Sequence, residues 1–304
     1  KTDSDAIEEL LQGYRIDASV ASTAYNHAEL IQYDLSDWDF LMARAEANGL
    51  VTYFQDGQLH CQAPKATANP SLDLVFGATI LELDAEIDAR EQLQAVTAES
   101  WDPTQQERQQ ISAATPSFDQ PGNLDAGSLA ASFTPEEWFL RHGGELASEE
   151  LQAWADAQFL RHRLAKVQAR VRVPGNTEVK PNSTVNLQGL GARFNGTAFV
   201  GGVSHTIKAG EWWTDIQIGL QAEWFTETYP IHSKPGAGLV GAVQGLQIAI
   251  VSQLQDDPDG EDRILVRMPI IDPDAEGIWA RVATLDAGEN RGSFFRPEIG
   301  DEVI

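Results

Sequence analysis

One change of period constrains this chain more than any other feature. Ala153, Ala157, Leu160, Leu164 and Val167 recur at spacings of four, three, four and three. That is the seam of an amphipathic helix, read here over residues 145–167. From Val167 onward the period is two. Val167, Ala169, Val171 and Val173 alternate with Gln168, Arg170 and Arg172, which describes a strand with one buried face. A helix feeding directly into such a strand is expected to lay its seam on a sheet. Pro174-Gly175 then turns the chain, and residues 183–187, 197–208 and 212–220 read as further short strands with Gly-rich corners. Several strands at that spacing point to a barrel or sandwich.

Upstream, residues 5–13 read as a short helix stopped by Gly13, with Ile7, Leu10 and Leu11 on one face. A clearer helix starts at Ser36, the expected N-cap, with Asp39 in the capping-box position and Leu35 and Phe40 placed as a hydrophobic staple. Trp38, Leu41, Met42 and Ala45 make its apolar face and Gly49 its stop. Residues 50–54 are strand-like. Asp56-Gly57 is the chain's clearest two-residue hairpin signal, and Leu59 and Cys61 lie on the return strand. Cys61, the lone cysteine, reads as a small buried hydrophobe and excludes an internal disulfide framework. Residues 81–101 are strand-like but acidic. Residues 112–144 include a Ser-, Ala-, Gly-, Pro- and Asp-rich stretch and read as a long loop insertion.

Charge narrows the partners. Asp and Glu number 46 against 21 Lys and Arg, a formal −25 over 304 residues. Nucleic acid is therefore not an expected partner, because no basic stripe compensates the repulsion. No apolar run approaches the ~18 residues of a membrane helix, and the first residues lack a signal-peptide core. The chain has no initiator Met and stops at Gly300-Asp301-Glu302-Val303-Ile304 within strand-like sequence, so it is read as a fragment.

Each pattern that could carry chemistry has a plainer reading. Gly236-Ala237-Gly238-Leu239-Val240-Gly241 matches a dinucleotide fingerprint, but Pro235 precedes it and strand-like alternation follows; the motif needs a strand before and a helix after. A flexible linker is expected there. Asp272, Asp274, Glu276 and Gly277 sit at EF-hand spacing, yet Ala283 stands where the bidentate Glu belongs. The run Asp256-Asp257-Pro258-Asp259-Gly260-Glu261-Asp262 fits the ligand spacing no better and is expected to be an acidic turn. His27, His60, His142, His162, His205 and His232 show no zinc spacing, and no Gly-x-Ser-x-Gly elbow occurs. Trp212 and Trp213 are adjacent, so one is expected in the core and the other at an interface or platform. No catalytic, cofactor-binding or metal residue is assigned, and an enzyme is not expected.

Several segments resemble VgrG-type spike and baseplate-hub proteins of contractile injection systems. Gln32-Tyr33-Asp34-Leu35-Ser36-Asp37-Trp38-Asp39-Phe40-Leu41 through Ala47-Asn48-Gly49-Leu50-Val51-Thr52-Tyr53-Phe54 resembles the segment where a short helix leads into a hairpin. Ser100-Trp101-Asp102-Pro103 is similar to the entry of the second hub barrel. Lys180-Pro181-Asn182-Ser183 with Val185-Asn186-Leu187, then Gly201-Gly202-Val203-Ser204-His205, resembles that barrel's strands, with Pro181-Asn182 in place of the family's Pro-Gly turn. Asp257 to Pro269, Trp279-Ala280-Arg281-Val282, and Phe294-Phe295-Arg296-Pro297-Glu298-Ile299-Gly300-Asp301-Glu302-Val303 resemble the spike's OB domain.

The resemblance implies a mainly β fold with a few helices (α+β), phage-hub-like β-barrel domains followed by an OB-fold, in a fragment of a trimeric spike. Residues 1–99 would hold the remainder of a first hub barrel with helix and hairpin. Residues 100–234 would hold a second hub barrel with a long helix and the 112–144 insertion. Residues 235–245 would be a linker, and 246–304 the N-terminal part of the OB-fold domain. The implied role is structural: a homotrimer linking inner tube and baseplate to a membrane-puncturing needle and delivering effectors. Its expected partners are tube and baseplate proteins, a PAAR-type tip, effectors and, on firing, a target membrane. It would assemble in the cytoplasm before release, in a type VI system or an extracellular phage-tail-like particle. The alternatives are a phage baseplate hub carrying a cell-wall hydrolase, or an OB-fold module binding carbohydrate or protein.

Overall fold

The period-two run is a strand whose burial alternates as its sequence does. In the computed structural model, which describes residues 1–231, 245–288 and 291–304, Val167, Ala169, Val171 and Val173 are buried, whereas Arg170 is exposed and Gln168 and Arg172 are half-covered. The chain divides into two compact units, Lys1–Ser233 and Lys234–Ile304.

In the first unit the elements run α1 (Asp3–Gln12), β1 (Ala18–Val20), α2 (Asp37–Ala47), β2 (Val51–Gln55), β3 (Gln58–Gln62), β4 (Asp73–Val75) and β5 (Glu82–Ile87). Next come β6 (Val96–Asp102), β7 (Glu107–Ser112), α3 (Ala126–Phe133), β8 (Trp138–His142) and α4 (Ser148–Leu164). The unit ends with β9 (Val167–Pro174), β10 (Ser183–Gln188), β11 (Gly196–Lys208), β12 (Glu211–Ile218) and α5 (Phe225–Thr228). The second unit contains β13 (Ala249–Gln253), β14 (Ile264–Arg267), β15 (Ile278–Ala280), β16 (Asp286–Gly288), β17 (Arg291–Ser293) and β18 (Glu302–Val303). The fold is mostly β with five helices among the described residues.

Six strands form the main sheet in the order β4-β10-β11-β12-β9-β5. Laid flat, six strands would separate the outermost two by about 24 Å at ~4.8 Å per strand. Instead β4 and β5 are successive in the chain and linked by a tight turn. The Ile80 N–H donates to Val75 O at 3.2 Å, and the Leu81 N–H donates to Arg172 O of β9 at 2.8 Å. The sheet therefore curls into a half-barrel whose two outermost strands are joined by a tight turn. Leu74, Val171, Val173, Val185, Leu187, Val200, Ile216 and Ile218 fill its inner face. This barrel crosses the boundary expected at residue 99, because β4 and β5 pair with β10 and β9.

Two smaller sheets flank α4. In β1-β3-β2 the hairpin turns at Asp56 and Gly57 with φ of 52° and 83°, both positive as a type I′ turn requires. Ile7 and Leu11 of α1 and Leu41 and Ala45 of α2 pack there with Leu59 and the buried Cys61. Ser36 caps α2 by accepting the Asp39 N–H at 3.1 Å. Gly49 closes the helix at φ 68°, and a Cβ placed there would lie 3.4 Å from Ala157 of α4. The Trp38 end of the expected apolar face is exposed, and Phe40 is buried instead.

The sheet β7-β6-β8 lies under α4, with Leu151, Ala155 and Phe159 packed on Val96 and Ala98. The helix starts at Ser148 rather than 145, and its deepest face is this i, i+4, i+8 row rather than the Ala153-to-Leu164 seam. The reason is that α4 is covered on more than one side: Ala157, His162, Arg163 and Leu164 are buried too. Residues 112–144, expected to be loop, contain α3 and β8. Asp125 caps α3 by accepting the Ser128 N–H at 2.7 Å.

The second unit holds a four-stranded sheet, β15-β14-β13-β18, and an antiparallel β16-β17 pair. Ala249, Val251, Ile264 and Val266 form its small core.

Candidate interaction surfaces

Several buried polar residues in the first unit are tied into pairs that hold helices together. Asp3 accepts from Arg44 Nε at 2.6 Å and Nη2 at 2.9 Å and from Asn48 Nδ2 at 2.8 Å, and Arg44 also reaches Glu150 at 3.2 Å. Burial alone would raise the Asp3 carboxyl, but the hydrogen bonds and charge of Arg44 hold it below the usual carboxylate range. Glu46 accepts from Arg161 at 2.8 Å and from the Phe225 N–H at 2.6 Å; here burial prevails and its carboxyl is raised. These contacts join α1, α2, α4 and α5.

The described histidines make local contacts as well. His162 donates from Nδ1 to Glu91 O at 2.5 Å, and its Nε2 pairs with Gln158 Nε2 at 2.9 Å. His60 stacks on Tyr53 at 4.9 Å between centroids, and His27 lies 3.2 Å from Asp3. His142 contacts Gly144, and His205 pairs with Thr214 Oγ1. Burial raises the Cys61 thiol, which keeps it protonated and inert. No group of three or more His, Cys, Asp or Glu among the described residues could hold a metal ion. His232 and the Gly236–Gly241 motif lie outside the described residues.

The acidic turn of 256–262 is matched by arginines rather than left open for a cation. Asp257 accepts three backbone N–H groups, from Asp259, Glu261 and Arg263, at 2.9–3.2 Å. It also takes the Arg263 guanidinium, with Nη2 at 2.6 Å, and that hydrogen bonding drives its pKa far below the usual range. Arg263 also pairs with Asp259, Arg281 with Glu261 at 2.7 Å, and Arg296 with Asp262 at 2.8 Å. Local charges are thus largely neutralised. In the second acidic loop Asp272 accepts the Asp274 N–H at 2.9 Å, which closes a turn.

Two surfaces stand out once these clusters are accounted for. The first is the far end of the β11–β12 hairpin. Residues 204–208 are exposed on both faces of the strand, and the turn at Ala209 and Gly210 has φ of 54° and 84°. Trp212 lies over Gly175, where a Cβ would come within 2.0 Å of its ring, and 5.9 Å from the His205 ring. Neither Trp212 nor Trp213 enters the core, contrary to the expected split between core and interface. The strands have run past the barrel interior there, so neither face has a core beneath it.

The second surface is apolar. A groove of about 720 Å³ in the second unit is lined by Leu246, Val266, Met268, Ile278, Val282 and Phe295 among others. Leu285 and Phe295 are 95% and 80% exposed. Patches of this kind mark binding sites. No helix among the described residues is long and apolar enough to cross a membrane.

Comparison with known proteins adds a family to this geometry. Residues 1–209 match the family described as Alg8 N-terminal domain. Residues 247–304 match that described as Type VI secretion system/phage-baseplate injector OB domain. No curated protein matches the chain. Among solved structures, the tail protein from Neisseria meningitidis MC58 is similar at a TM-score of 0.51 and 16% identity, over 75% of this chain and 69% of that one. The 43 kDa tail protein of prophage MuSo2 from Shewanella oneidensis scores 0.49 at 11% identity, over 73% of this chain and 64% of that one. The chain therefore spans somewhat under two thirds of the Shewanella protein. The likeness to the Neisseria protein is one of fold.

Proposed function

The chain belongs to the family described as Alg8 N-terminal domain, and from that premise we propose that it is the structural spike, of the VgrG type, of a contractile injection system. The observation that carries this reading is the order of parts within one chain. A unit with the fold of a phage tail protein is followed by a domain that matches an injector OB domain. The protein acts as a homotrimer that links inner tube and baseplate to a puncturing needle and a PAAR-type tip, and it carries effectors to the target membrane. It assembles in the cytoplasm before release or firing. Its role is mechanical, and it is not an enzyme.

The physical features suit that role. Antiparallel registers such as β11–β12 and β12–β9 share load across many hydrogen bonds at once. The apolar surface of the second unit supplies area for a copy-to-copy contact. Three copies carry a formal −75, three times −25, and this is offset by basic patches on tube or baseplate partners. Docking to those partners therefore weakens as salt shortens the Debye length below ~8 Å.

Light scattering over a dilution series of the full-length protein tests the assembly. A mass of three chains that persists at low micromolar concentration is expected. A monomer throughout would overturn the spike reading.

A further inference from the structure

Two cations lie buried at the C-terminal end of α4, and neither is paired with a carboxylate among the described residues. Arg163 is 7% exposed and Lys166 3%. Lys166 Nζ donates to the backbone oxygens of Pro121 at 3.0 Å and Leu124 at 3.1 Å, which occupies two of its three protons. The Arg163 guanidinium makes no ion pair or hydrogen bond among the described residues, and its Nη1 is buried without a partner. Its guanidinium carbon lies 4.9 Å from the centroid of the Phe159 ring. Burial pulls both cations below their ordinary pKa, with the charge of Asp125 acting the other way.

Both residues line one cavity of about 480 Å³, with Thr115, Ser117, Gln120 and Asp125 also in its wall. Asp125 is committed elsewhere as the cap of α3, accepting the Ser128 N–H, and it forms no salt bridge with either cation. An unpaired buried charge is among the costliest things a fold can keep. It is more unusual still in a chain whose formal charge is −25, where carboxylates are plentiful. Every other buried arginine pair described above has its carboxylate. The polar cavity beside these two cations also has the composition that desolvated anions need: a planar guanidinium, an ammonium with a proton to give, and hydroxyls.

We propose that this cavity binds a small oxyanion, with Arg163 and the third proton of Lys166 as its charged donors and Thr115 and Ser117 at its wall. The chemistry common to its possible sources is a phosphate or carboxylate group. The proposal is independent of the spike reading and survives its failure.

Calorimetric titration of the intact protein with inorganic phosphate, at constant ionic strength made up with chloride, tests it. Saturable binding is expected, with sulfate competing and affinity falling at least tenfold in Arg163→Met. Acetate titration separates the sources: competition by acetate assigns a carboxylate, and competition by sulfate alone assigns a tetrahedral anion. Because Arg163→Met could simply misfold, melting in phosphate-free buffer accompanies it. With no anion to hold, the variant should melt at or above the wild-type temperature. Absence of saturable binding by phosphate, sulfate and acetate would overturn the proposal. So would equal binding by the variant, or a lower melting temperature for it without anion.

Discussion

The two units bury apolar residues to different extents, and the contrast is informative. In Lys1–Ser233 each sheet has its own cluster, from the barrel interior to the face under α4, and the clusters include Phe159, Leu151 and Ile216 at or below 1% exposure. In Lys234–Ile304 the buried core among the described residues is one cluster of four, with Leu265 buried beside it. Yet, among the described residues, ten of the 24 exposed large hydrophobics belong to this smaller unit. A domain of that size buries a smaller share of its surface than a larger one does, so more of its apolar residues stay outside the core. The first unit therefore buries most of its large apolar side chains in several cores, and the second leaves many of its own at the surface.

Core truncation breaks or upholds that contrast most directly. Phe159→Ala should destabilise the first unit by about 3–5 kcal/mol, since the ring fills a sealed site between α4 and its sheet. Ile264→Ala should cost the second unit only about 2 kcal/mol, the low end for such changes, because a thin core can collapse around the gap. Urea denaturation followed by fluorescence and hydrogen exchange reads both. Equal losses would show that the two cores are equally well packed.

A smaller effect is expected at Gly219, where α4, β9 and β12 converge. Its φ is 77°, and a Cβ would lie 2.3 Å from Val167 O and 2.9 Å from Leu164 O. Gly219→Ala should cost the first unit roughly 1–3 kcal/mol in strain and displaced backbone. A change below about 0.5 kcal/mol, the range of ordinary surface substitutions, would mean the junction is looser than its hydrogen bonds imply.

How much of this was legible depended on whether the signal was local. Asp56-Gly57 and Ser36 specify their turn and cap through their own backbone chemistry, and both form as read. The Val167–Val173 alternation was legible because one face meets a core and the other does not. The α4 seam was misjudged, since a helix covered on several sides does not show a single stripe. In 112–144 the Ala126, Leu129, Ala130 and Phe133 spacing was present, but loop-like composition around it masked α3. The closure of β4 and β5 onto β9 and β10 depends on pairings about a hundred residues apart, which no local pattern encodes. Likewise nothing near Arg163 in sequence announces that it lacks a carboxylate.

Acid separates the units in a different way. Burial holds the His162 imidazole below its usual 6.5, so the unfolded chain takes up a proton that the folded chain resists. That contribution is complete above about pH 6.5 and is lost as pH falls toward the lowered value. Glu46, raised by burial, tilts in the opposite direction as pH rises from its ordinary 4.5. The difference between wild type and His162→Gln is therefore the readout, and the variant should lose part of the slope below pH 6.5. The second unit has no described histidine. Its Asp257, held low by Arg263, contributes fully above its ordinary 3.8 and is lost only below that. A second-unit transition that moved between pH 6.5 and 5 would contradict this separation.

The smallest effect on stability should be the most revealing about the second unit. Leu285 and Phe295 are exposed and hold little of the fold together, so Leu285→Ser with Phe295→Ser should change unfolding free energy by no more than about 0.5 kcal/mol each. Self-association should nonetheless weaken, because exposed apolar area is what a copy-to-copy contact would bury. Tyr33→Ser in the first unit, also at an exposed ring, supplies the control and should leave the association unchanged. Sedimentation over a dilution series separates the cases. If the control dissociates the protein as readily as the double variant, the apolar face of the second unit has no special part in assembly, and the contrast between the units is one of packing alone.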